Sequence, residues 1–428
     1  MTKDFRIEIG WEDPQGARGE ELRATWSRLS IFIDGKSVTE ILDLRSDTVR
    51  DSLYLPAYPL AEWLAFHWWP LLHESGTGDP SSNGGFKKRH NLKFAAEGFA
   101  LPDLAFVADG ASVHAKWTPH IPKFSKAKFL SEGFAVIDQT AFTAEISRFI
   151  EMVVARLKAM GIEECSLIDE WEAIQSVEKD EADFCRAAGA LGLDPFAIDD
   201  GTKESICAAE ASLPDSAVEE FFQVADVSHL ARQVTWLLCV IHNLESIHQT
   251  MALPLPRFTK YLHGEPWWQG YELARQTRQV LGLTDWWKPL DSGLFEPSQA
   301  GSLEVVAPDP DLRADAVSIF HADGSAKIAV MGGSILSKRF IIARSICDYV
   351  LDGPSIPLLQ TRAGTLKQRR NRAFAAEFLA PWEGIKSIFD RHEADDRDIE
   401  ILGEHFVVST KVIDHQLRNN GVRVLSSW

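Results

Sequence analysis

Cysteine is scarce in this sequence and follows no pattern typical of a metal-binding knot. The 428 residues contain five cysteines, and none of them forms a C-x-x-C pair. An odd number of unpaired cysteines indicates reduced, buried thiols rather than disulfides or a zinc-binding cluster.

Long apolar runs are also missing. The longest, around residues 234–241, is far shorter than the roughly 20 residues that cross a bilayer, so no membrane segment is predicted. The first residues do not combine a basic start with an apolar stretch, so we expect no secretory signal and a cytoplasmic location.

Basic residues are in deficit. The 44 lysines and arginines face 62 acidic residues, which gives a formal net charge of −18. This balance argues against broad binding of nucleic acids or anionic membranes, because phosphate contact needs a basic surface. From residue 331 onward basic residues slightly outnumber acidic ones, so the acidity lies upstream.

Three common motifs are absent. The chain has no G-x-x-x-x-G-K-[ST] loop, no G-x-G-x-x-G and no G-x-S-x-G elbow. The sequence therefore gives no support for a P-loop nucleotidase, a Rossmann dinucleotide site or an α/β-hydrolase.

Length and periodicity predict an α+β protein of several domains. The chain is about three times a typical domain of roughly 150 residues. Residues 1–135 mix short β-like runs with one helix from Pro59 to His73, which predicts a mixed α/β domain. Helical periodicity then predicts an all-helical middle domain over 136–255, and the pattern becomes mixed again over 256–428.

Tryptophan is abundant. There are fourteen, with tandem pairs at 68–69, 267–268 and 286–287. Such large side chains fill cores and seams between domains or form binding surfaces, and both interpretations stay open here.

Two groups of histidines have spacings close to those of helical metal ligands. His242, Glu245 and His248 span six residues, which rotates the last histidine away from the face of the first. His67 and His73 have the same difficulty. We interpret the first group as part of a packed or surface helix, and His67 and His73 as residues that line a seam between domains rather than bind an ion.

The last 160 residues contain blocks that resemble the ImmA/IrrE-type zinc metallopeptidases. KRFIIARSICDYVL at 338–351 is similar to the active-site helix of that family, RF-x-x-AHELGHxLL. NRAFAAEFLAP at 371–381 resembles its AN-x-FAAELLMP helix, and residues 399–421 resemble its closing helix pair. PWWQGYELARQTRQVLGL at 266–283 is similar to its first helix, and 316–331 to its β-hairpin, with Asp323-Gly324 at the turn. The resemblance implies a C-terminal zincin-like domain that ends in a helix pair.

The zinc-binding residues of that family are replaced. The H-E-x-x-H positions are Arg344, Ser345 and Asp348, and the position of the third, acidic ligand is Gln368. A guanidinium stays protonated and a neutral amide is a poor zinc ligand, so we expect neither zinc nor any other cofactor. Without zinc, water loses the pKa depression that drives hydrolysis. The resemblance therefore implies a pseudopeptidase with no catalytic residue.

Two hypotheses describe the altered pocket. Arg344 and Asp348 are four residues apart, the spacing of an ion pair on one helix face. Alternatively, Arg344 faces a groove that binds an acidic ligand such as phosphate. Further basic residues lie nearby in the sequence and are interpreted first as a solvated face; they are Arg362, Lys367, Arg369, Arg370 and Arg372.

The closing segment, 395–421, resembles a helix-turn-helix. Lys411, His415, Gln416 and Arg418 are of types that contact bases and phosphates. Seven acidic residues between 390 and 404 oppose DNA, so we favour packing of these helices against the domain core.

The sequence as a whole predicts a regulatory or protein-binding component of a prokaryotic stress, mobile-element or phage-defence system. The predicted partner is another protein, such as a repressor or a member of a multi-protein complex. A DNA-associated regulator is one alternative. The other is an enzyme, either a metallopeptidase with relocated ligands among His392, His405 and His415 or an unrelated activity in the N-terminal half.

Overall fold

A computed structural model describes most of the chain: residues 4–14, 16–76, 84–95, 98–123, 125–179, 181–247, 251–252, 255–258, 265–283, 303–321, 325–353 and 355–425. The chain divides into two compact units, Met1–Cys207 and Ala208–Trp428. Within the described ranges, no helix has the length and apolar character required to cross a membrane.

Short antiparallel sheets build the first unit. One contains β1, β2, β3 and β6, a second β7, β8 and β10, and a third β4, β5 and β9. The strand bounds are β1 Phe5–Trp11, β2 Trp26–Ile33, β3 Lys36–Ser37, β4 Ile41–Asp43, β5 Thr48–Arg50, β6 Leu53–Pro56, β7 Asp103–Ala108, β8 Ser112–Thr118, β9 Ala127–Phe129 and β10 Gly133–Asp138.

Helices cover these sheets. The bounds are α1 Glu20–Ala24, α2 Tyr58–Phe66, α3 Trp68–His73, α4 Gly84–His90, α5 Gln139–Ala159, α6 Ser166–Ser176, α7 Ala182–Ala190 and α8 Asp200–Ser212, which crosses the boundary between the units. Asp138 caps α5 by accepting a hydrogen bond from the Ala141 backbone N–H at 3.1 Å. One apolar core extends from Phe5 to Cys185 and includes the buried face of α5.

The second unit has one larger, mixed sheet. Its strand order is β11-β14-β13-β15, with β12 pairing parallel to β14. The strand bounds are β11 Met251–Ala252, β12 Leu303–Val305, β13 Ala314–Phe320, β14 Ser325–Val330, β15 Ser355–Thr361, β16 Glu393–Ala394 and β17 Arg423–Val424. The helix bounds are α9 Asp215–Phe222, α10 Leu230–Ser246, α11 Pro266–Val280, α12 Ile335–Asp352, α13 Leu366–Leu379, α14 Trp382–Ile388, α15 Asp396–Phe406 and α16 Thr410–Asn419.

The α+β class and several elements are as predicted. The hairpin over 316–331 is formed by the antiparallel pair β13 and β14, whereas its predicted Asp323-Gly324 turn lies outside the described residues. The helix expected over 338–351 is α12, and the helix pair expected over 399–421 is α15 and α16.

Other expectations differ from the structure. The single helix predicted from Pro59 to His73 is two helices, because Pro70 has no N–H to donate to Phe66 and its ring clashes with that carbonyl. The predicted middle domain is divided: α5, α6 and the start of α7 belong to the core of the first unit, whereas α9 packs on β15 and α10 on β13 and β14.

The cysteines and tryptophans follow the predictions in part. All five cysteines are free, but only Cys185 and Cys347 are buried, and Cys207 and Cys239 are exposed. The tryptophans at 68 and 69 lie in the first core, whereas those at 267 and 268 are 45% and 44% exposed. The pair at 286–287 lies outside the described residues.

Candidate functional site

Helix α12 lies in the second unit and contains three of the positions that the resemblance compares with the zinc-binding motif. Its N-terminus is capped by Ser334, whose hydroxyl accepts from the Ser337 backbone N–H at 3.3 Å, and it ends before Gly353, which has a φ of 80°. The helix is apolar on most sides, so it packs into the core. Its central polar residues, Arg344, Ser345 and Asp348, are therefore buried and need partners.

Arg344 is bonded to groups from three other elements. Its Nη1 lies 2.6 Å from Asp315 Oδ2, and its Nη2 donates to the carbonyl of Thr361 and to Gln368 Oε1, the latter at 2.6 Å. Asp315 occupies a β-bulge, where β13 has one more residue than β15 between paired positions. Such a bulge redirects a side chain, and here the carboxylate meets both Arg344 and Arg362, the second at 3.0 Å.

Gln368 joins this group to a buried carboxylate. Its Nε2 donates to Glu220 Oε2 at 3.0 Å and to the Leu359 carbonyl at 3.2 Å. Glu220 also accepts from the hydroxyls of Thr361 and Thr365, at 3.0 and 2.8 Å. Burial raises the pKa of Glu220, although Lys367 and these hydrogen bonds act in the opposite direction.

Asp348 has a separate set of partners. It accepts from Asn371 Nδ2 at 2.8 Å and from Gln360 Nε2, and Arg370 and Lys367 lie 3.6 and 3.9 Å from its carboxylate. The predicted ion pair with Arg344 is therefore wrong, because Asp315 takes the guanidinium instead.

Ser345 makes a local contact. Its hydroxyl donates to the Ile341 carbonyl at 3.3 Å, one helical turn back. This is the position that the resemblance compares with a catalytic glutamate.

A cavity of about 620 Å³ opens on Arg344. Its cationic lining residues are Arg344, Arg362, Arg369, Arg372 and Lys411. Arg369 and Arg372 are half-buried rather than solvated, so the interpretation of this cluster as an ordinary solvated face is wrong for these two side chains.

Two other basic residues that the sequence analysis considered pair with carboxylates. Arg370 lies 3.6 Å from Asp348, and the exposed Arg418 lies 2.8 Å from Asp414.

Arg372 shows the electrostatic character of the cavity. Its Nη2 donates to the Ala363 carbonyl at 2.9 Å. Burial, followed by repulsion from Arg344, lowers the pKa of Arg372 to about 10, and the carboxylates of Asp315 and Glu220 offset this only in part. A guanidinium under such repulsion is stabilised by any anion that enters the cavity.

Of the two closing helices, α16 packs on α13 and α15 packs on α16. Gln416 is buried, and its Nε2 donates to Glu377 Oε2 and the Ala380 carbonyl, both at 2.8 Å. Gln416 is therefore not available to read DNA bases. Lys411 and His415, which precede it on α16, line the cavity.

The histidine groups are arranged as packed or surface residues. His67 stacks on Trp63 and His73 on Trp69, and burial lowers the pKa of His73 to about 4. His242 and Glu245 are exposed on α10, whereas His248 lies outside the described residues. Among the described residues, which include His392, His405 and His415, no three histidine, cysteine or acidic side chains are placed to hold a metal ion.

Two functional-site residues were missed by sequence reasoning. Asp315 and Glu220 carry the negative charge of the network, but in the sequence each is one of several acidic residues in its segment, with Asp309 and Asp311 before Asp315 and Glu219 beside Glu220. The only signal for Asp315 was its position at the start of a predicted hairpin. No signal in the sequence pointed to Glu220 beyond its position in a predicted helix.

Comparisons of this chain with protein-family models, with curated proteins and with solved structures find no significant match. The ImmA/IrrE resemblance therefore stays a prediction based on the sequence blocks.

Proposed function

We propose that this chain is a catalytically inactive ImmA/IrrE-like protein that acts as a regulatory or protein-binding component in a prokaryotic stress, mobile-element or phage-defence setting. One observation carries the proposal. At the positions where the resemblance expects two zinc ligands, a guanidinium and an amide are bonded to each other, Arg344 to Gln368 at 2.6 Å. Neither group ligates zinc, and each uses its polar atoms to hold neighbouring elements.

The order of elements around this pair supports the proposal. A hairpin, β13 and β14, precedes α12, and α13 and the pair α15 and α16 follow it, which is the order expected of the zincin-like domain. The network of Asp315, Arg344, Gln368 and Glu220 joins β13, α12, α13 and α9. Removing one charged partner from such a buried network leaves an uncompensated charge, so these residues hold the scaffold together where the enzymes of that family would use the same positions for chemistry.

Zinc analysis tests the catalytic part of the proposal. Full-length chain purified without chelator is expected to contain no stoichiometric zinc, and its melting temperature is expected to be the same with added zinc or with chelator. Stoichiometric zinc whose removal lowers the melting temperature would overturn the proposal, because structural or catalytic zinc stabilises the state that binds it.

Partner analysis tests the binding part. A protein that co-purifies with the chain at a fixed ratio from its native host is expected to keep its intact mass during prolonged incubation with it. Cleavage of that partner, abolished by Asp348→Asn, would indicate the relocated-ligand peptidase instead.

A further inference from the structure

The cavity beside Arg344 has a strong excess of positive charge. Among the described residues, five cationic side chains line it, and Asp315 is the one acidic lining residue. That carboxylate is shared by Arg344 and Arg362, at 2.6 and 3.0 Å. This local excess lies in a chain whose net charge is −18, so the cluster is not a consequence of overall composition.

Arg344 is held in place by its partners, and these partners do not use all of its N–H donors. It is 3% exposed, and its Nε has no hydrogen-bond partner among the described residues. A buried N–H without a hydrogen-bond partner is destabilising. Because Asp315 and Gln368 hold the guanidinium at the cavity wall, its position is fixed before an anion binds.

Arg372 adds a second half-buried cation on α13. Its described hydrogen bond is to a neutral carbonyl, that of Ala363, and Arg344 repels it. Two guanidinium groups that repel each other in a partly buried cavity match the charge of a phosphate, whose several oxygens accept from both.

The rest of the cavity wall is apolar and aromatic. Trp267 and Phe340 line it, together with Ile341 and Val412. Trp267 is 45% exposed, and its ring lies 5.9 Å from that of Tyr271 in a T-shaped arrangement. A wall of this kind favours a ligand with a planar ring, since nucleic-acid bases stack on aromatic side chains.

We propose that this cavity binds a nucleotide, with the phosphate on Arg344 and Arg372 and the base against the aromatic wall at Trp267. The volume of about 620 Å³ lies within the range of about 300–1,000 Å³ typical of small-ligand sites. The inference rests on the proposed function, since it gives the non-catalytic pocket a ligand, which makes the chain a nucleotide-responsive component.

Calorimetric titration of the full-length chain at low salt tests the proposal, with AMP, ADP, inorganic phosphate and adenosine as probes. We expect ADP and AMP to bind, inorganic phosphate to bind more weakly and adenosine not to bind. Arg372→Met is expected to weaken ADP binding about tenfold or more, the loss of one charge-assisted hydrogen bond. Arg418→Met, on the exposed side of α16, is the matched control and should leave binding unchanged.

Trp267→Ala separates the two parts of the ligand. It is expected to weaken ADP several-fold and to leave inorganic phosphate unchanged, because only the base contacts the indole. Melting temperatures close to that of the unaltered chain confirm that each variant is folded.

Two results would overturn the inference. One is failure of every nucleotide to bind. The other is binding of ADP no tighter than phosphate and unaffected by Trp267→Ala, which would indicate a simple anion site. Both leave the proposed function intact if the chain lacks zinc, so the two proposals fail separately.

Discussion

A single buried carboxylate in the first unit gives a pH-dependent prediction. Glu170 on α6 is 8% exposed, and its Oε1 has no hydrogen-bond partner among the described residues. Burial, with a smaller contribution from Asp194, raises the pKa of Glu170 to about 7. An unfolded glutamate titrates near 4.3. Between these values the folded chain holds the extra proton, so this residue makes stability fall as the pH rises toward 7.

Glu170→Gln is therefore expected to remove part of the loss of stability between pH 5 and pH 8. The gain over the unaltered chain at pH 8 should be on the order of 1 kcal/mol, and it should shrink at pH 5. Thermal unfolding across this range measures it. Glu172→Gln is the control, since Glu172 is exposed on the same helix and lies 3.1 Å from Lys158 in a surface ion pair. Parallel pH profiles for the unaltered chain and Glu170→Gln would contradict the prediction.

Among individual residues, the sequence identified two of the four members of the buried network. Arg344 and Gln368 were singled out because the resemblance compares them with zinc ligands. Their partners were not, since Asp315 is 29 residues from Arg344 and Glu220 is 148 from Gln368. Pairing at such distances depends on strand register, on the bulge at Asp315 and on helix packing, none of which leaves a local pattern.

Helices α11 and α13 approach each other too closely for any side chain at Gly270. A Cβ at this position would lie 2.4 Å from the Arg370 carbonyl oxygen and 2.8 Å from the Phe374 backbone nitrogen. These are backbone atoms, so a contact this close can be relieved only by moving a helix.

Gly270→Ala is accordingly expected to lower the free energy of unfolding by about 1–3 kcal/mol. In an unobstructed helix the same change would raise it by about 1 kcal/mol. Gly84→Ala is the control, since Gly84 begins α4 and a Cβ there meets nothing within 4 Å. Chemical denaturation measures both variants. A stabilising Gly270→Ala would show that the two helices do not pack at this distance.

Elements were predicted best where the periodicity was long. The apolar face of α5, with Phe142, Ile146, Phe149 and Leu157, is buried as its spacing indicates. Periodicity shows which face of a helix is apolar but not which core will bury it. For that reason α5 and α10 were assigned to one domain although their contacts lie in different units.

At the scale of the whole molecule, positive charge is concentrated at one cavity although the net charge is strongly negative. The net charge is −18, yet the basic residues near α13 converge on one cavity. This concentration arises because residues from β13, α12, α13 and α16 meet there in the fold. The negative net charge predicts that the surface repels polyanions such as nucleic acids, whereas the cationic lining predicts that the cavity attracts small anions.

The same distribution of charge bears on the alternative of a DNA-associated regulator. Lys411 and His415 of α16 line the cavity. Gln416 donates a hydrogen bond to the buried Glu377, and Arg418 forms an ion pair with Asp414. The acidic α15 precedes this helix and repels phosphates. We therefore expect the full-length chain not to retard random-sequence duplex DNA in a mobility-shift titration, even at low salt.

A shift that weakens steeply with salt and is lost in Arg418→Glu would contradict this expectation, because protein–DNA affinity falls with salt in proportion to the phosphates contacted. Arg372→Met distinguishes the two modes of anion binding. It should abolish or weaken the response to ADP, whereas DNA bound along the exposed side of α16 would be unaffected by it. DNA binding that survives Arg418→Glu but is lost in Arg372→Met would instead indicate a strand end or flexible phosphate entering the cavity.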